Sequence, residues 1–215
     1  MIFGKNLINQ MLKILFAVLF PLILLFFIQP VFAFNNGLQK VLLPFNTTSH
    51  IKFSYTEIRK SVFFKKEQYS HGQITYKKPD IIIKEVLNPQ NKTYKIVNKI
   101  LTISSLDKES KKLKINKVNI ENFPQLYQFV ELVKSILSGD IKFIKSHYTF
   151  KLNEEEQIWT LTLFPIKSFD AENIQQEVLK KIKITANHKQ LLAIKMLGFG
   201  GESTEIIINT ILERS

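Results

Sequence analysis

The chain contains no cysteine among its 215 residues, and this absence excludes several possibilities at once. Disulfides cannot contribute to its stability, even in a compartment that would permit them. A thiol nucleophile is excluded as well. Attachment of a lipid anchor to an exported bacterial protein requires a cysteine at the cleavage site, so we expect a chain without such an anchor.

Patterns typical of catalysis and of metal binding are also missing. The sequence has no Gly-x-Ser-x-Gly motif, and its glycine-rich segment Gly198–Gly201 lies between two predicted strands with no helix after it. We interpret that segment as a hairpin turn, and the acidic run Glu154–Glu156 as a solvated turn. The four histidines are isolated, without a partner at metal-ligand spacing: His50, His71, His147 and His188. We therefore predict that the protein is not an enzyme and uses neither a metal nor a cofactor.

The N-terminal segment has the pattern of a secretory signal peptide. Its charged residues are Lys5 and Lys13, and an apolar run from Ile14 to Ile28 follows them. This run of about fifteen residues is shorter than the roughly 20 that a membrane-spanning helix needs. Pro30 then breaks the helical pattern before Val31-Phe32-Ala33, which has small residues at its first and third positions. The alternative interpretation is a membrane anchor that is retained.

Cleavage after Ala33 would divide the chain into a signal peptide, residues 1–33, and a single domain, residues 34–215. We expect this domain to reach the periplasm. Its net charge would be +10 instead of +12, because the removed segment holds two of the thirty basic residues and no acidic one. Such a charge favours an anionic partner. An exported protein rarely meets nucleic acid, so we predict no nucleic-acid binding and favour membrane headgroups or an acidic protein. The alternative is a lysine-rich surface that only maintains solubility.

Most of the domain alternates between apolar and polar residues with the period of a β-strand. Asn98-Lys99 between two such segments predicts a two-residue hairpin turn. Eleven segments show strand character: Ile51–Tyr55, Ile74–Tyr76, Ile81–Ile83, Tyr94–Ile96, Leu101–Ile103, Leu113–Ile115, Tyr148–Leu152, Trp159–Leu163, Ile182–Ile184, Leu191-Leu192 and Glu205–Ile211. Strands at this spacing indicate one antiparallel sheet, curled or closed.

Two segments have helical periodicity instead. The first, around Leu38, Val41 and Leu42, predicts a short helix that ends before Pro44. The second predicts a longer amphipathic helix, capped by Asn122, with Pro124 in its first turn and Gly139 at its end. Its apolar face consists of Leu126, Phe129, Val130, Val133 and Leu137. Residues 140–147 predict a further turn or two. We expect this inserted helix to cover one face of the sheet.

Several segments together resemble the periplasmic outer-membrane lipoprotein carriers, the LolA-like family, over essentially the whole domain. The similar segments are Phe53-Ser54-Tyr55-Thr56-Glu57, Gly72-Gln73-Ile74-Thr75-Tyr76-Lys77-Lys78-Pro79, Pro89, Ile100-Leu101-Thr102-Ile103, Leu137-Ser138-Gly139-Asp140 and Trp159-Thr160-Leu161-Thr162-Leu163-Phe164-Pro165. The resemblance implies a mostly β fold with inserted helices (α+β). In this fold an unclosed antiparallel half-barrel carries a helical lid over its concave apolar face.

The function implied by the resemblance is transport of acyl chains across the periplasm. The cargo would be an acylated lipoprotein or another lipid, received from an inner-membrane transporter and passed to an outer-membrane acceptor. We expect the carrier to act as a monomer. One alternative is a sensor or adaptor domain of the same fold that binds lipoprotein without transporting it. Another is an adaptor whose sheet is simply filled.

The candidate cavity lining follows from the inward positions of the predicted strands and the apolar face of the helix. It consists of Phe53, Tyr55, Ile74, Tyr76, Leu101, Ile103, Phe129, Val133, Trp159, Leu161 and Ile184. Alternation does not distinguish a lipid cavity from an ordinary core, and a register error of one residue would exchange the two faces. Lipoprotein carriers also place a lid-latching arginine just before the proline, where this chain has Lys78. Lysine lacks the planar fork of arginine. Lys78 is therefore either a different, weaker latch or an ordinary turn lysine.

Overall fold

The structure is a computed structural model that describes residues 35–107, 110–166 and 179–215. Residues Gly37–Ser215 form one compact unit, and the fold described here is that of this unit. The predicted signal peptide lies outside the described residues. Among the described helices, none has the length and apolar character required to cross a membrane.

The described residues form eleven strands, three α-helices and a short 3-10 helix. The helices are α1 (Asn35–Asn46), the 3-10 helix (Ile120–Asn122), α2 (Pro124–Ser138) and α3 (Ile141–His147). The strands are β1 (His50–Lys60), β2 (Gln68–Lys77), β3 (Ile81–Asn88), β4 (Lys92–Val97), β5 (Ile100–Leu106), β6 (Leu113–Asn119), β7 (Tyr148–Glu155), β8 (Ile158–Pro165), β9 (Leu179–Asn187), β10 (Leu191–Gly198) and β11 (Ser203–Arg214). Each of the eleven segments predicted as strands lies within one of them.

All eleven strands belong to one antiparallel sheet, in the order β6-β5-β4-β3-β2-β1-β11-β10-β9-β8-β7. The first and last strands pair at its centre, where Phe53 lies opposite Ile211. The edge strands, β6 and β7, are at opposite ends of this order, so the described sheet is not closed. The predicted fold class, an unclosed antiparallel half-barrel with helices over one face, is confirmed.

Strand alternation explains which face of the sheet is covered. In β1, buried and half-buried residues alternate from His50 to Ile58, as expected for a strand with one face towards a core. The hairpin turn between β4 and β5 consists of Asn98 and Lys99, both with positive φ, 47° and 66°. Two successive residues with positive φ are typical of the turn that matches the twist of a β-hairpin. The predicted two-residue turn is therefore confirmed.

The N-terminal helix extends further than the sequence predicts. The structure places Pro44 inside α1, which ends at Asn46, so the expected end before Pro44 is wrong. Pro44 stands in the last turn, where its missing N–H costs one hydrogen bond. The next residue, Phe45, is buried and packs edge-to-face on Trp159, with ring centroids 6.1 Å apart. Burial of this aromatic ring offsets the lost hydrogen bond and keeps the final turn helical.

The inserted helix α2 has the predicted end and a different start. Gly139 adopts a left-handed conformation with φ 71° and ends the helix, as the sequence predicts. Asn122 does not cap it, because this residue belongs to the preceding 3-10 helix and Phe123 takes the N-cap position without a side-chain hydrogen bond. The predicted continuation after Gly139 is α3, whose first turn is capped by Asp140 through the N–H of Lys142 at 2.9 Å.

Candidate functional site

An apolar cavity of about 340 Å³ lies between α2 and the concave face of the sheet. Its volume is within the range of about 300–1,000 Å³ that is usual for ligand pockets. The apolar residues of its lining are Phe53, Ile74, Tyr76, Ile82, Tyr94, Ile96, Leu101, Leu126, Phe129, Val130, Val133, Leu137, Leu191, Ile194, Met196, Ile206 and Ile208. The apolar face of α2 thus forms the roof, and inward side chains from strands on both sides of the β1–β11 pair form the floor.

Six of the eleven residues proposed for the lining lie together around this cavity. They are Phe53, Ile74, Tyr76, Leu101, Phe129 and Val133. The four from the sheet come from three strands, β1, β2 and β5, and the two from α2 are one helical turn apart. Their convergence follows from period-two alternation in the strands and a spacing of four in the helix.

Three other proposed residues, Trp159, Leu161 and Ile184, lie in a part of the sheet that is already filled. All three are completely buried in the hydrophobic core, together with the apolar face of α1. Phe45 of α1 contacts Trp159 directly. The structure therefore does not place these residues on the cavity: all three are buried core side chains, and Phe45 of α1 packs on Trp159.

The last two proposed residues, Tyr55 and Ile103, also lie outside the cavity lining. The ring of Tyr55 lies close to Gly72 of the neighbouring strand and 5.2 Å from the Nζ atom of Lys84, and it is fully buried. Burial, followed by the negative charge of Glu57, raises the pKa of the Tyr55 hydroxyl well above its ordinary value. Ile103 is half-buried and stands two residues beyond Leu101 along β5.

The contribution of the C-terminal strands to the cavity was not predicted from the sequence. β10 and β11 supply Leu191, Ile194, Met196, Ile206 and Ile208 to the cavity. Ile206 and Ile208 follow the two-residue alternation, so a signal for them was present. That signal became interpretable only once β11 was known to pair with β1 at the centre of the sheet.

A charged cluster stands at the rim of the apolar cavity. Glu57, on the same face of β1 as Phe53 and Tyr55, is buried and accepts hydrogen bonds on both carboxylate oxygens. Its Oε1 atom accepts a hydrogen bond from Arg59 at 3.0 Å, and its Oε2 atom accepts one from Lys84 at 2.5 Å. Burial alone would raise the pKa of Glu57, but the charges and hydrogen bonds of Lys84 and Arg59 outweigh burial and hold it below its ordinary value.

Two lysines fasten the helices to the turn between β2 and β3. On α2, Lys134 donates to Asp80 at 2.5 Å and to Glu131 at 2.9 Å. Burial works to lower the pKa of Lys134, but its hydrogen bonds with these two carboxylates raise it overall. The proposed latch residue, Lys78, donates instead to the backbone carbonyl of Asn46 at the end of α1. Lys134 thus joins α2 to this turn, whereas Lys78 joins the turn to α1.

An open antiparallel sheet with an apolar cavity beneath a helix is the architecture expected for the LolA-like family. Residues 35–208 match the family described as outer membrane lipoprotein carrier protein LolA-like. This match spans well over half of the chain, and the chain belongs to that family. Among curated proteins, none matches it significantly.

Solved structures with similar folds are distant in sequence. A chain from the Pseudomonas aeruginosa MucA/MucB complex is 11% identical with a TM-score of 0.44, over 81% of this chain and 54% of that one, so this chain spans about half of its length. The LolA superfamily protein NE2245 from Nitrosomonas europaea is 10% identical with a TM-score of 0.40, over 82% and 93%. A putative outer membrane lipoprotein-sorting protein domain from Vibrio parahaemolyticus is 9% identical with a TM-score of 0.39, over 84% and 92%. Similarity at this level concerns the fold alone.

Proposed function

We propose that this protein is a periplasmic carrier that holds the acyl chains of a lipoprotein or another lipid in the cavity beneath α2. The observation that supports this function is the cavity itself, which is lined mainly by apolar side chains and is not filled by any side chain that the structure describes. An acyl chain in water costs roughly 0.8 kcal/mol per CH₂, on the order of 10 kcal/mol in total. Unaided passage through an aqueous compartment is therefore negligible, and a vacant apolar cavity removes most of that cost.

The lid in this proposal is α2, whose backbone lies closest to the 3-10 helix before it and to α3 after it. Its side chains Leu132 and Ile136 are buried in the core, and Lys134 pairs with Asp80 of the β2–β3 turn. Opening of the lid would release these contacts while the hydrogen bonds of the sheet stay in place. Entry and exit of hydrocarbon would then require a local rearrangement of the kind that often accompanies binding.

In this function the chain is exported to the periplasm before it receives its cargo. Residues 1–33 would serve as the cleaved signal peptide, leaving residues 34–215 as a single monomeric domain in the periplasm. An inner-membrane transporter would supply the acylated cargo and an outer-membrane acceptor would take it. N-terminal sequencing of the protein recovered from the periplasm tests the first step, with Phe34 as the expected first residue.

The test of carriage has two measurements on the purified protein. Mass spectrometry of material that co-purifies from native envelopes should recover acylated molecules in a near-stoichiometric amount. In a second assay, the protein should accelerate transfer of a fluorescent acylated peptide between donor and acceptor vesicles, in proportion to its concentration. Binding without transfer would contradict carriage and favour the sensor or adaptor function. Absence of bound lipid after gentle purification would contradict both.

A further inference from the structure

A second, polar pocket of about 540 Å³ adjoins the apolar cavity. Its lining consists of Glu57, Arg59, Gln68, Tyr69, Ser70, Lys84, Val86, Pro89, Gln90, Lys92 and Tyr94. Four of these residues also line the apolar cavity: Glu57, Arg59, Lys84 and Tyr94. The two spaces are therefore adjacent at these four residues, which places a polar pocket directly beside the apolar cavity.

The polar pocket has an excess of positive charge. Arg59, Lys84 and Lys92 contribute three cations, and Glu57 is the one carboxylate in its lining. Ser70 donates to the Oε2 atom of Glu57 at 3.2 Å, so this carboxylate receives the serine hydroxyl as well as the two cations. Glu57 neutralises one positive charge and positions the side chains of Arg59 and Lys84. A net positive charge of two remains beside the mouth of an apolar cavity.

We propose that this polar pocket binds the anionic headgroup, a phosphate or a carboxylate, of an amphiphile whose hydrocarbon chain occupies the cavity. This assignment rests on the proposed function and narrows its cargo to anionic amphiphiles. Arginine and lysine are the side chains suited to such groups, since charge-assisted hydrogen bonds are about twice as strong as neutral ones. The hydrocarbon supplies affinity without regard to charge, and the polar pocket adds selectivity for the anion.

Two ligands with the same chain, dodecanoate and dodecanol, separate the two contributions. At mildly alkaline pH the protein should bind dodecanoate at least about tenfold more tightly than dodecanol, since a hydrogen bond to a charged group contributes roughly 1.5–3 kcal/mol. Arg59→Gln combined with Lys92→Gln should abolish this preference, because the affinity for dodecanoate should fall at least about tenfold more than the affinity for dodecanol. The matched control is Lys151→Gln, an exposed lysine on the opposite edge strand β7, which should preserve the preference.

The outcomes of this experiment distinguish the headgroup assignment from the proposed function. Equal affinity for the two ligands would overturn the headgroup assignment and leave acyl-chain binding intact, whereas binding of neither ligand would overturn the carrier proposal as well. A preference for dodecanoate that survives the double substitution would also overturn the assignment. Competition by inorganic phosphate alone at concentrations comparable to those of dodecanoate would assign the pocket to a free anion instead.

An independent observation concerns the loop between β1 and β2, which presents apolar side chains to solvent. Val62, Phe63 and Phe64 are 64%, 89% and 57% exposed. The residues that follow them are Lys65 and Lys66. Exposure of three consecutive apolar side chains costs free energy in water, so this segment is suited to another environment.

A second exposed aromatic residue lies at the same end of the sheet. Phe199, in the turn between β10 and β11, is 55% exposed. The pairing of Lys60 with Ser203 brings this turn beside the β1–β2 loop. Two neighbouring turns therefore carry exposed aromatic rings. In the β1–β2 loop, two lysines follow these rings directly in the sequence. Arg59 and Tyr69, which line the polar pocket, are located on the strands that this loop connects.

We infer that the β1–β2 loop docks the protein on an anionic lipid bilayer. The rings of Phe63 and Phe64 would enter the boundary between headgroups and acyl chains, as aromatic residues do in membrane-surface proteins. Lys65 and Lys66 would contact anionic headgroups, which attract basic side chains close to the membrane surface. The net charge of residues 34–215, +10, complements the same surface. Docking in this orientation brings the polar pocket towards the headgroups.

Co-sedimentation with lipid vesicles tests the docking loop. The protein should bind vesicles containing phosphatidylglycerol and not vesicles of phosphatidylcholine alone, and added salt should weaken binding. Phe63→Ser combined with Phe64→Ser should reduce binding at least about tenfold. The control is Phe123→Ser, which removes a phenylalanine of similar exposure, 51%, outside the loop. Unchanged binding of the loop variant, or self-association that the loop substitutions abolish, would overturn the assignment.

Discussion

Lys134, in the middle of α2, donates to Asp80 in the β2–β3 turn at a distance of 2.5 Å. This ion pair joins the helix that roofs the cavity to the sheet that forms its floor. Lys134 also binds Glu131 within the same helix at 2.9 Å, which holds its side chain in position. A single side chain thus connects the lid to the turn where the family resemblance places a latch.

We predict that Asp80→Asn accelerates release of a bound acyl chain. A partly exposed ion pair contributes about 0–1 kcal/mol, so the release rate should increase up to about fivefold with little change in overall stability. Stopped-flow displacement of a fluorescent fatty acid measures this rate directly. High salt should accelerate release from the wild type and have less effect on the variant, because screening weakens the same ion pair.

Lys78→Met is the matched comparison for this prediction. Lys78 lies two residues from Asp80, but it donates to the carbonyl of Asn46 in α1 and not to α2. Its removal should leave the release rate unchanged and lower stability slightly, because the end of α1 loses a hydrogen bond. The opposite pattern would identify Lys78 as the latch: release faster than in the wild type from Lys78→Met, and a wild-type release rate from Asp80→Asn.

A charge in the roof of the cavity should prevent lipid retention without unfolding the protein. We predict that Phe129→Glu or Val133→Glu lowers the affinity for a fluorescent fatty acid by at least about tenfold, since hydrocarbon packed against a carboxylate leaves that charge desolvated. Gln128→Glu introduces the same charge at an exposed position of the same helix and should retain binding. Circular dichroism checks that all three variants fold. Full retention by Phe129→Glu would show that α2 does not cover the bound chain.

The fold was predictable because its signals are local. Each strand carries its own period-two alternation, and the turn at Asn98-Lys99 and the end of α2 at Gly139 depend on residues at those positions. The errors arose where tertiary contacts override local preference. Pro44 is kept within α1 by the burial of Phe45 against Trp159, a contact between residues more than a hundred positions apart. Local pattern contains no information about such a contact.

The site was harder to predict because a cavity and a filled core are lined by the same types of apolar residue. Trp159 and Phe53 are both apolar, inward-facing and located in strands, yet α1 covers the first and the cavity lies above the second. Which helix lies above which strand depends on the chain path between them and not on alternation. Glu57 offered a different signal, an acidic residue on the inward face of an apolar strand, and a partner such as Lys84 could have been expected for it.

Among the glycines of the sheet, Gly72 should be the one at which substitution by alanine destabilises the protein most. A Cβ atom at this position would lie 1.8 Å from the carbonyl oxygen of Glu85 and 3.1 Å from the ring of Tyr55. The first contact is with backbone, so relief requires the two strands to separate. We predict that Gly72→Ala lowers the free energy of unfolding by more than about 2 kcal/mol, as measured by urea denaturation.

Gly201→Ala provides the contrast, since its φ of +89° strains an alanine while no atom lies within 4 Å of the added Cβ. Its cost should be limited to the backbone conformation, about 1–2 kcal/mol. A larger effect at Gly201 than at Gly72 would mean that the strand contact at Gly72 relaxes easily.

The buried Glu57 should make the free energy of unfolding decrease as the pH becomes acidic. Its pKa in the folded protein is below its ordinary value of 4.5, because Lys84 and Arg59 stabilise the ionised form more than burial destabilises it. A carboxyl with a lowered folded pKa contributes stability that is fully present above about 4.5. That contribution is lost as the pH falls through the lower, folded pKa.

Glu57→Gln tests both the sign and the cause of this dependence. At neutral pH the variant should be less stable by roughly 1–3 kcal/mol, because two cations lose a charged hydrogen-bond acceptor in a partly buried setting. Below about pH 4.5 the difference should shrink, since the wild-type carboxyl then becomes protonated as well. Glu121→Gln removes a carboxylate from an exposed pair with Lys99 and should have no comparable effect. A difference between Glu57→Gln and the wild type that grows on acidification would mean that burial, and not the two cations, dominates the ionisation of Glu57. The cationic pocket would then lack the carboxylate that organises it.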